Sequence, residues 1–183
     1  GRYSERQHID LPRLLEAGVD LQVMAICAAA RENPYSWAKS IISHWQVEYE
    51  NLKEEVIWIR SSSDFEKWEK GGKIGVILAM EGLEPLEGEL SMINEFFELG
   101  IRMISLTWNW ENQFASGVFA KKDTGLTALG KQVVKIAEDL GIILDLSHLG
   151  KESFIDLLNI AREPVCVTHA NVFEVLPHRS EER

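Results

Sequence analysis

No apolar run in this chain approaches the ~20 residues that a membrane-crossing helix needs, and the opening stretch "GRYSERQ" carries no signal-peptide pattern. A cytoplasmic protein that does not engage the membrane is the expectation. Cysteine is scarce. Only Cys27 and Cys166 occur, both inside apolar runs, and they read as buried free thiols in a reducing compartment rather than as a disulfide. Basic residues are outnumbered 19 to 29, and the formal net charge of −10 would repel a phosphate backbone, so nucleic acid is not an expected partner. There is no low-complexity tract and no obvious linker. No strand-like run is followed by a glycine-rich phosphate loop, which counts against nucleotide binding.

What is present is ordinary for a folded domain: 183 residues, 45% hydrophobic and 26% charged, enough for one globular domain spanning 1–183. Strand and helix patterns alternate along it. "VDLQVMAIC" (19–27), "KIGVILAMEG" (73–82), "IRMISLTWN" (101–109), "IILDLSH" (142–148) and "PVCVTHA" (164–170) read as strands, with "VIWIR" (56–60) as a short extended piece. Between them, 36–55, 63–72, 89–100, 125–141 and 151–163 read as helices; the fourth has Leu129, Val133, Ile136 and Leu140 on one face. Nearly all-apolar strands alternating with helices predict a parallel sheet covered by helices. The connections after strands are the long, polar ones, as in a (β/α)8 barrel or a doubly wound sheet.

Four successive strands end in polar residues: Glu81, Trp108–Asn109, His148 and His169. In a parallel barrel these ends face one way, so a carboxylate and two imidazoles converge, a donor set that suits zinc or a comparable transition metal. Each of the three taken alone also fits a hydrogen-bonded loop or cap residue. Asp145 lies three residues before His148; simple alternation puts its side chain on the opposite face, where a structural hydrogen bond is its expected role. The pair His8 and Asp10 has H-x-D spacing, but no apolar strand precedes it, and it is not read as a ligand pair. His44 falls in mid-helix and is read as partly exposed.

These stretches together resemble the membrane dipeptidase (renal dipeptidase) family, metal-dependent peptidases of the amidohydrolase superfamily. "HIDLPRLLEAGVDLQVMAI" is similar to the segment leading into the family's second barrel strand, and "VILAMEG" carries its acidic strand end. "GIRMISLTWNWEN" resembles the leucine-threonine-histidine-asparagine motif, and "GLTALGKQVVKIAEDLGIILDLSH" and "PVCVTHA" match the two stretches that each supply a histidine ligand. The resemblance implies a (β/α)8 TIM-type barrel of which this chain covers roughly strands two to six. It implies two Zn2+ ions in the complete protein, with Glu81 catalytic and bridging them and His148 and His169 ligating one. A metal-bridging hydroxide would attack the peptide bond of a dipeptide, a D-residue at the carboxyl end being one option.

Several features depart from the pattern. The first-strand H-x-D pair and a late aspartate that manages protons do not occur in this chain, and Trp108 stands where some family members have a histidine that contacts substrate. "LPHRSEER" resembles the arginine-asparagine motif only as far as Arg179, with Ser180 in place of the asparagine; Arg179 is then the candidate for the substrate carboxylate, with Trp108 and Asn109 as further substrate-binding candidates. By itself this stretch is expected not to be a competent dipeptidase, and its open sheet edges invite association, a homodimer being one form. Two rival readings stay open: another amidohydrolase acting on a lactone, a cyclic amide or an N-acyl amino acid, and a barrel without chemistry that serves as an interaction protein.

Overall fold

The computed structural model describes residues 8–172 together with Glu174, Val175 and Pro177. Its elements in chain order are α1 (Leu11–Glu16), β1 (Leu21–Cys27), α2 (Pro34–Leu52), β2 (Val56–Trp58), α3 (Ser62–Glu69), β3 (Ile74–Glu81), α4 (Met92–Glu98), β4 (Ile101–Ser105), α5 (Ala128–Leu140), β5 (Ile143–Leu144) and α6 (Lys151–Ile160). All strand pairings are parallel, in the order β1-β3-β4-β5. An isolated parallel bridge between Asp145 and Cys166 adds the beginning of a further strand beyond β5. The order never reverses, which excludes a doubly wound sheet and leaves the barrel pattern. The "VIWIR" piece becomes β2, which pairs with Ile74–Val76 at the start of β3 before β4 takes over that edge from Leu78 onward.

The two faces of β3 show how the sheet is buried. Val76, Leu78 and Met80 pack into a large core with α2, α4 and α5, while Ile77 and Ala79 join Met103, Ile59 and the half-buried Val23 on the other face. Side chains alternate with period two, so Glu81 continues the Ile77–Ala79 row. In register, Cys27, Glu81 and Ser105 lie level on three neighbouring strands. On the helical side, Trp45, Tyr49 and Trp58 form an aromatic cluster with ring centroids 5.6–6.0 Å apart. Gly100, at φ 102°, ends the α4 segment and lets the chain pass against the Trp58 ring, where a Cβ would collide.

Three expected strands are shorter than their apolar runs. The 101–109 run is a strand only to Ser105, the 142–148 run only at Ile143–Leu144, and the 164–170 run contributes one bridge residue. Beyond those points side chains and loops take over the hydrogen bonding, as the site below shows. The buried stripe of α5 is Gly130, Val133, Val134 and Ala137, rotated from the expected face; Leu129, Ile136 and Leu140 pack at its margin. The shift is imposed at Gly130, whose missing Cβ lets the helix meet the Phe114 carbonyl. Both cysteines are free and half-buried. Burial pushes the Cys166 thiol up to about 11, with the Asp145 charge adding to it, and raises Cys27 as well, so neither is a ready thiolate.

α5 is tied to the segment that leads toward His169. Glu138, whose side chain is 2% exposed, accepts from the Arg162 amide at 2.6 Å, the Arg162 Nε at 2.8 Å and the Glu163 amide at 3.0 Å. Burial alone would raise this carboxyl. The hydrogen bonds and charge of Arg162 outweigh it and hold it below the usual glutamate range. Glu138→Gln should therefore cost about 1–2 kcal/mol at neutral pH, the lower part of the range for charged hydrogen bonds because Arg162 is solvent-screened. A depressed carboxyl stabilises above its unfolded pKa, so the deficit should shrink as pH falls below about 4. Urea melts of both proteins at several pH values measure this. Gly130→Ala should also destabilise, by roughly 1–3 kcal/mol, because the clash with Phe114 outweighs the better helix propensity; a thermal melt checks it.

Candidate metal centre

Glu81, His148 and His169 come together at the carboxyl end of the sheet. Glu81 Oε1 lies 2.8 Å from His148 Nε2 and 3.4 Å from His169 Nε2, and the two Nε2 atoms are 2.7 Å apart. It is one cluster of potential ligands among the described residues, and no other trio meets there. Glu81 and His148 are largely buried, whereas His169 is half exposed, which leaves one side of the cluster open. The hydrogen bond with His148 holds Glu81 below the usual carboxylate range against the opposing effect of burial, and the charges of both imidazoles act in the same direction.

A different device holds each residue. Glu81 is simply the last residue of β3, aimed by strand alternation. His148 is not on a strand. It sits in a turn with φ 69°, the left-handed region that histidine enters more readily than most residues but still at a cost of about 1–2 kcal/mol. The loop that follows β4 locks that turn. The Val118 amide donates to the His148 carbonyl at 2.9 Å, Gly150 N donates to Ser116 O at 2.9 Å, and Gly117 bridges Leu149. Asn112 braces the loop, its amide donating to Leu106 O and Glu84 while Oδ1 accepts from Phe114 and Ala115. His148 Nδ1 then lies 3.1 Å from Asn109 Oδ1.

His169 is placed by side chains of the preceding strand. Asp145, 6% exposed, accepts from Ser147 N (3.0 Å), Thr168 N (3.1 Å) and Thr168 Oγ1 (2.5 Å). Ser147 Oγ accepts from the amides of Thr168 and His169 at 3.1 and 3.2 Å. His169 Nδ1 lies 2.7 Å from Thr168 Oγ1. Asp145 thus has the structural hydrogen bonds expected of it, but not the opposite face. Strand register carries it into the row of Glu81 and Ser105, where it lines a ≈ 470 Å3 cavity with them, Thr168 and His169, and it is His148, in a turn past the end of β5, that departs from the alternation.

A tetrahedral site with Zn–N near 2.0–2.1 Å separates its donors by roughly 3.3 Å. The Glu81–His169 edge already has that length, and the other two need to open by about half an ångström, within reach of side-chain rotation. One carboxylate oxygen and two imidazole nitrogens are also the donor chemistry of a zinc site. The residues fit a divalent transition metal.

The remaining candidates fall elsewhere. Trp108 and Asn109 lie in the loop after β4 rather than at its end; Trp108 is half-buried and lies outside the lining of the cavity beside Glu81, while Asn109 faces His148. Arg179 lies outside the described residues. Asp10 caps α1 and pairs with Arg13 at 2.8 Å, and His44 is an exposed residue of α2 that bonds the Ser40 carbonyl. Sequence reasoning missed Thr168 and Ser147. The recurrence of a hydroxyl residue directly before each histidine was the available signal.

A segment of 116 residues is 31% identical to an uncharacterised dipeptidase of Schizosaccharomyces pombe, covering 61% of this chain and 28% of the yeast protein. Among solved structures, a metallopeptidase called dipeptidase AC superposes with a TM-score of 0.88 at 25% identity, over 96% of this chain and 57% of its own. A metallopeptidase from Rhodobacter sphaeroides, bound to a phosphinate mimic of the dipeptide L-Ala-D-Ala, superposes with a TM-score of 0.90 at 22% identity, over 98% and 60%. The chain therefore spans little over half the length of these solved relatives, and its sheet is part of their barrel. The model of the membrane dipeptidase family (peptidase family M19) matches residues 2–181, and this chain belongs to that family.

Proposed function

We propose that the complete protein is a zinc-dependent dipeptidase, with Glu81, His148 and His169 holding part of a two-zinc centre at the barrel mouth. The observation that carries this reading is the convergence of Glu81 Oε1 and the two Nε2 atoms within 3.4 Å at the carboxyl ends of neighbouring strands. When bound, zinc supplies Lewis acidity toward the peptide carbonyl and makes water nucleophilic near neutral pH. Glu81 would bring the negative charge that anchors the cation. The half-exposed side of His169 opens onto the cavity and is where a small substrate reaches the centre. Dipeptides are the proposed substrates because relatives carry that name, and the mimic bound to the Rhodobacter protein makes a carboxyl-terminal D-residue a compound to include.

The complete gene product, loaded with zinc, should hydrolyse L-Ala-L-Ala or L-Ala-D-Ala and lose that activity to a chelator. N-acyl amino acids and lactones serve as the competing arm; turnover of those with no dipeptide hydrolysis would move the protein to another amidohydrolase activity, and no turnover at all would favour an interaction role. Glu81→Gln keeps the shape but removes the anionic ligand. It should lower kcat/KM by roughly a hundred- to a thousand-fold, since the electrostatic help of a catalytic metal is worth several kcal/mol, and zinc content by mass spectrometry should fall with it.

A further inference from the structure

We infer that Asp145, Thr168 and Asn109 are positioning residues that hold a proton on Nδ1 of each imidazole and so turn both Nε2 atoms toward a metal. The inference rests on the metal-site reading and deepens it.

Proton bookkeeping carries it. Asp145 as a carboxylate can only accept, and Oδ1 already takes two backbone amides. The 2.5 Å contact between Oδ2 and Thr168 Oγ1 must then hold the hydroxyl proton of Thr168, a length typical of a charge-assisted bond. Thr168 has only one O–H. With that proton committed to Asp145, its oxygen meets His169 Nδ1 at 2.7 Å with a lone pair, and the ring nitrogen must be the donor. His169 is therefore an Nδ1–H imidazole with its lone pair on Nε2. At His148 the partner is the amide oxygen Asn109 Oδ1 at 3.1 Å, also an acceptor, so Nδ1 is the donor there too, and the proton that His148 Nε2 shares with Glu81 is the one a metal displaces.

The two locks are separate in the chain. One comes from the loop after β4, the other from the Asp145 crosslink between two strand ends, yet both orient Nε2 toward the same point beside Glu81 Oε1. An outer partner that fixes the ring and its tautomer raises ligand basicity, and its loss typically weakens metal affinity 10- to 100-fold. Thr168 has a further property: a valine has nearly the same shape but no hydroxyl, while a serine keeps the hydroxyl.

The test uses the complete gene product with 15N-labelled histidine, in wild type, Thr168→Val and Thr168→Ser. In the metal-free protein, above the pH range in which imidazoles are protonated, long-range 1H–15N correlations report which ring nitrogen of His169 carries the proton. Wild type and Thr168→Ser should show it on Nδ1, and Thr168→Val should not. Zinc dissociation constants by competition with a chromophoric chelator should rise roughly 10- to 100-fold in Thr168→Val and stay within about threefold in Thr168→Ser. A His169 proton on Nε2 in the wild type would overturn the inference. So would a Thr168→Val protein with unchanged tautomer and unchanged zinc affinity. If Thr168→Val does not fold, the wild-type spectrum alone decides. If no form binds zinc, the metal reading of the site fails while the tautomer measurement still judges the hydrogen-bond lock.

Discussion

The Asp145 carboxylate is the point on which this end of the sheet depends. Past Leu144 the backbone ladder thins to a single bridge between Asp145 and Cys166. From there the hydrogen bonds that a sheet would supply come from side chains. Asp145 takes the amides of Ser147 and Thr168 together with the Thr168 hydroxyl, and Ser147 takes the amides of Thr168 and His169. A carboxylate that is 6% exposed survives only because these donors repay its desolvation; without them the cost of a buried charge would run to several kcal/mol. The same bonds aim His169, so packing and ligand geometry cannot be separated here.

The other histidine answers to a different part of the chain. The long loop after β4 is rigid for its length because Asn112 uses both ends of its amide on backbone groups and on Glu84, and because Gly117 threads beneath Asn109, whose carbonyl would stand 2.6 Å from a Cβ placed there. This loop receives the left-handed His148 and bonds its carbonyl. Strain of about 1–3 kcal/mol at such a residue persists only when its surroundings over-determine it, and Val118, Thr107 and Asn109 all contact this one residue. Glu81 needs no such help, since an eight-residue buried strand fixes its direction.

This contrast explains what could be read from the sequence. Parallel α/β architecture, element order and the meeting of Glu81, His148 and His169 follow from apolar runs and the polar residue closing each, and those signals are local. The face of Asp145 was misjudged because period-two alternation does not extend as far as His148: β5 lasts two residues. Asn109, a substrate-binding candidate by its motif, stands against His148, a contact 39 residues apart that no spacing pattern encodes. The rotation of α5 depended on Gly130 meeting the Phe114 carbonyl, again a tertiary encounter. Local periodicity located the three residues that meet; the residues that orient them are set by contacts between distant segments.

Consistency between local preference and global fold is the rule in natural proteins, and its violations gather where function is. Most of this chain obeys: Thr127 and Ser61 cap helices α5 and α3, Gly141 closes α5 in the left-handed region, and apolar side chains fill both faces of β3. Exceptions occur elsewhere, as at the left-handed Glu87, but several meet at one spot. His148 holds an unfavourable backbone angle, and Glu81 Oε1 and the two Nε2 atoms stand 2.7, 2.8 and 3.4 Å apart with at most the one proton that His148 shares with Glu81 among them. Lone pairs at such distances repel. A single proton placed between two of them relieves one edge of the triangle, whereas a divalent cation near its centre relieves all three at once. Hydrogen bonds elsewhere in the fold maintain a local conflict that a divalent cation would remove.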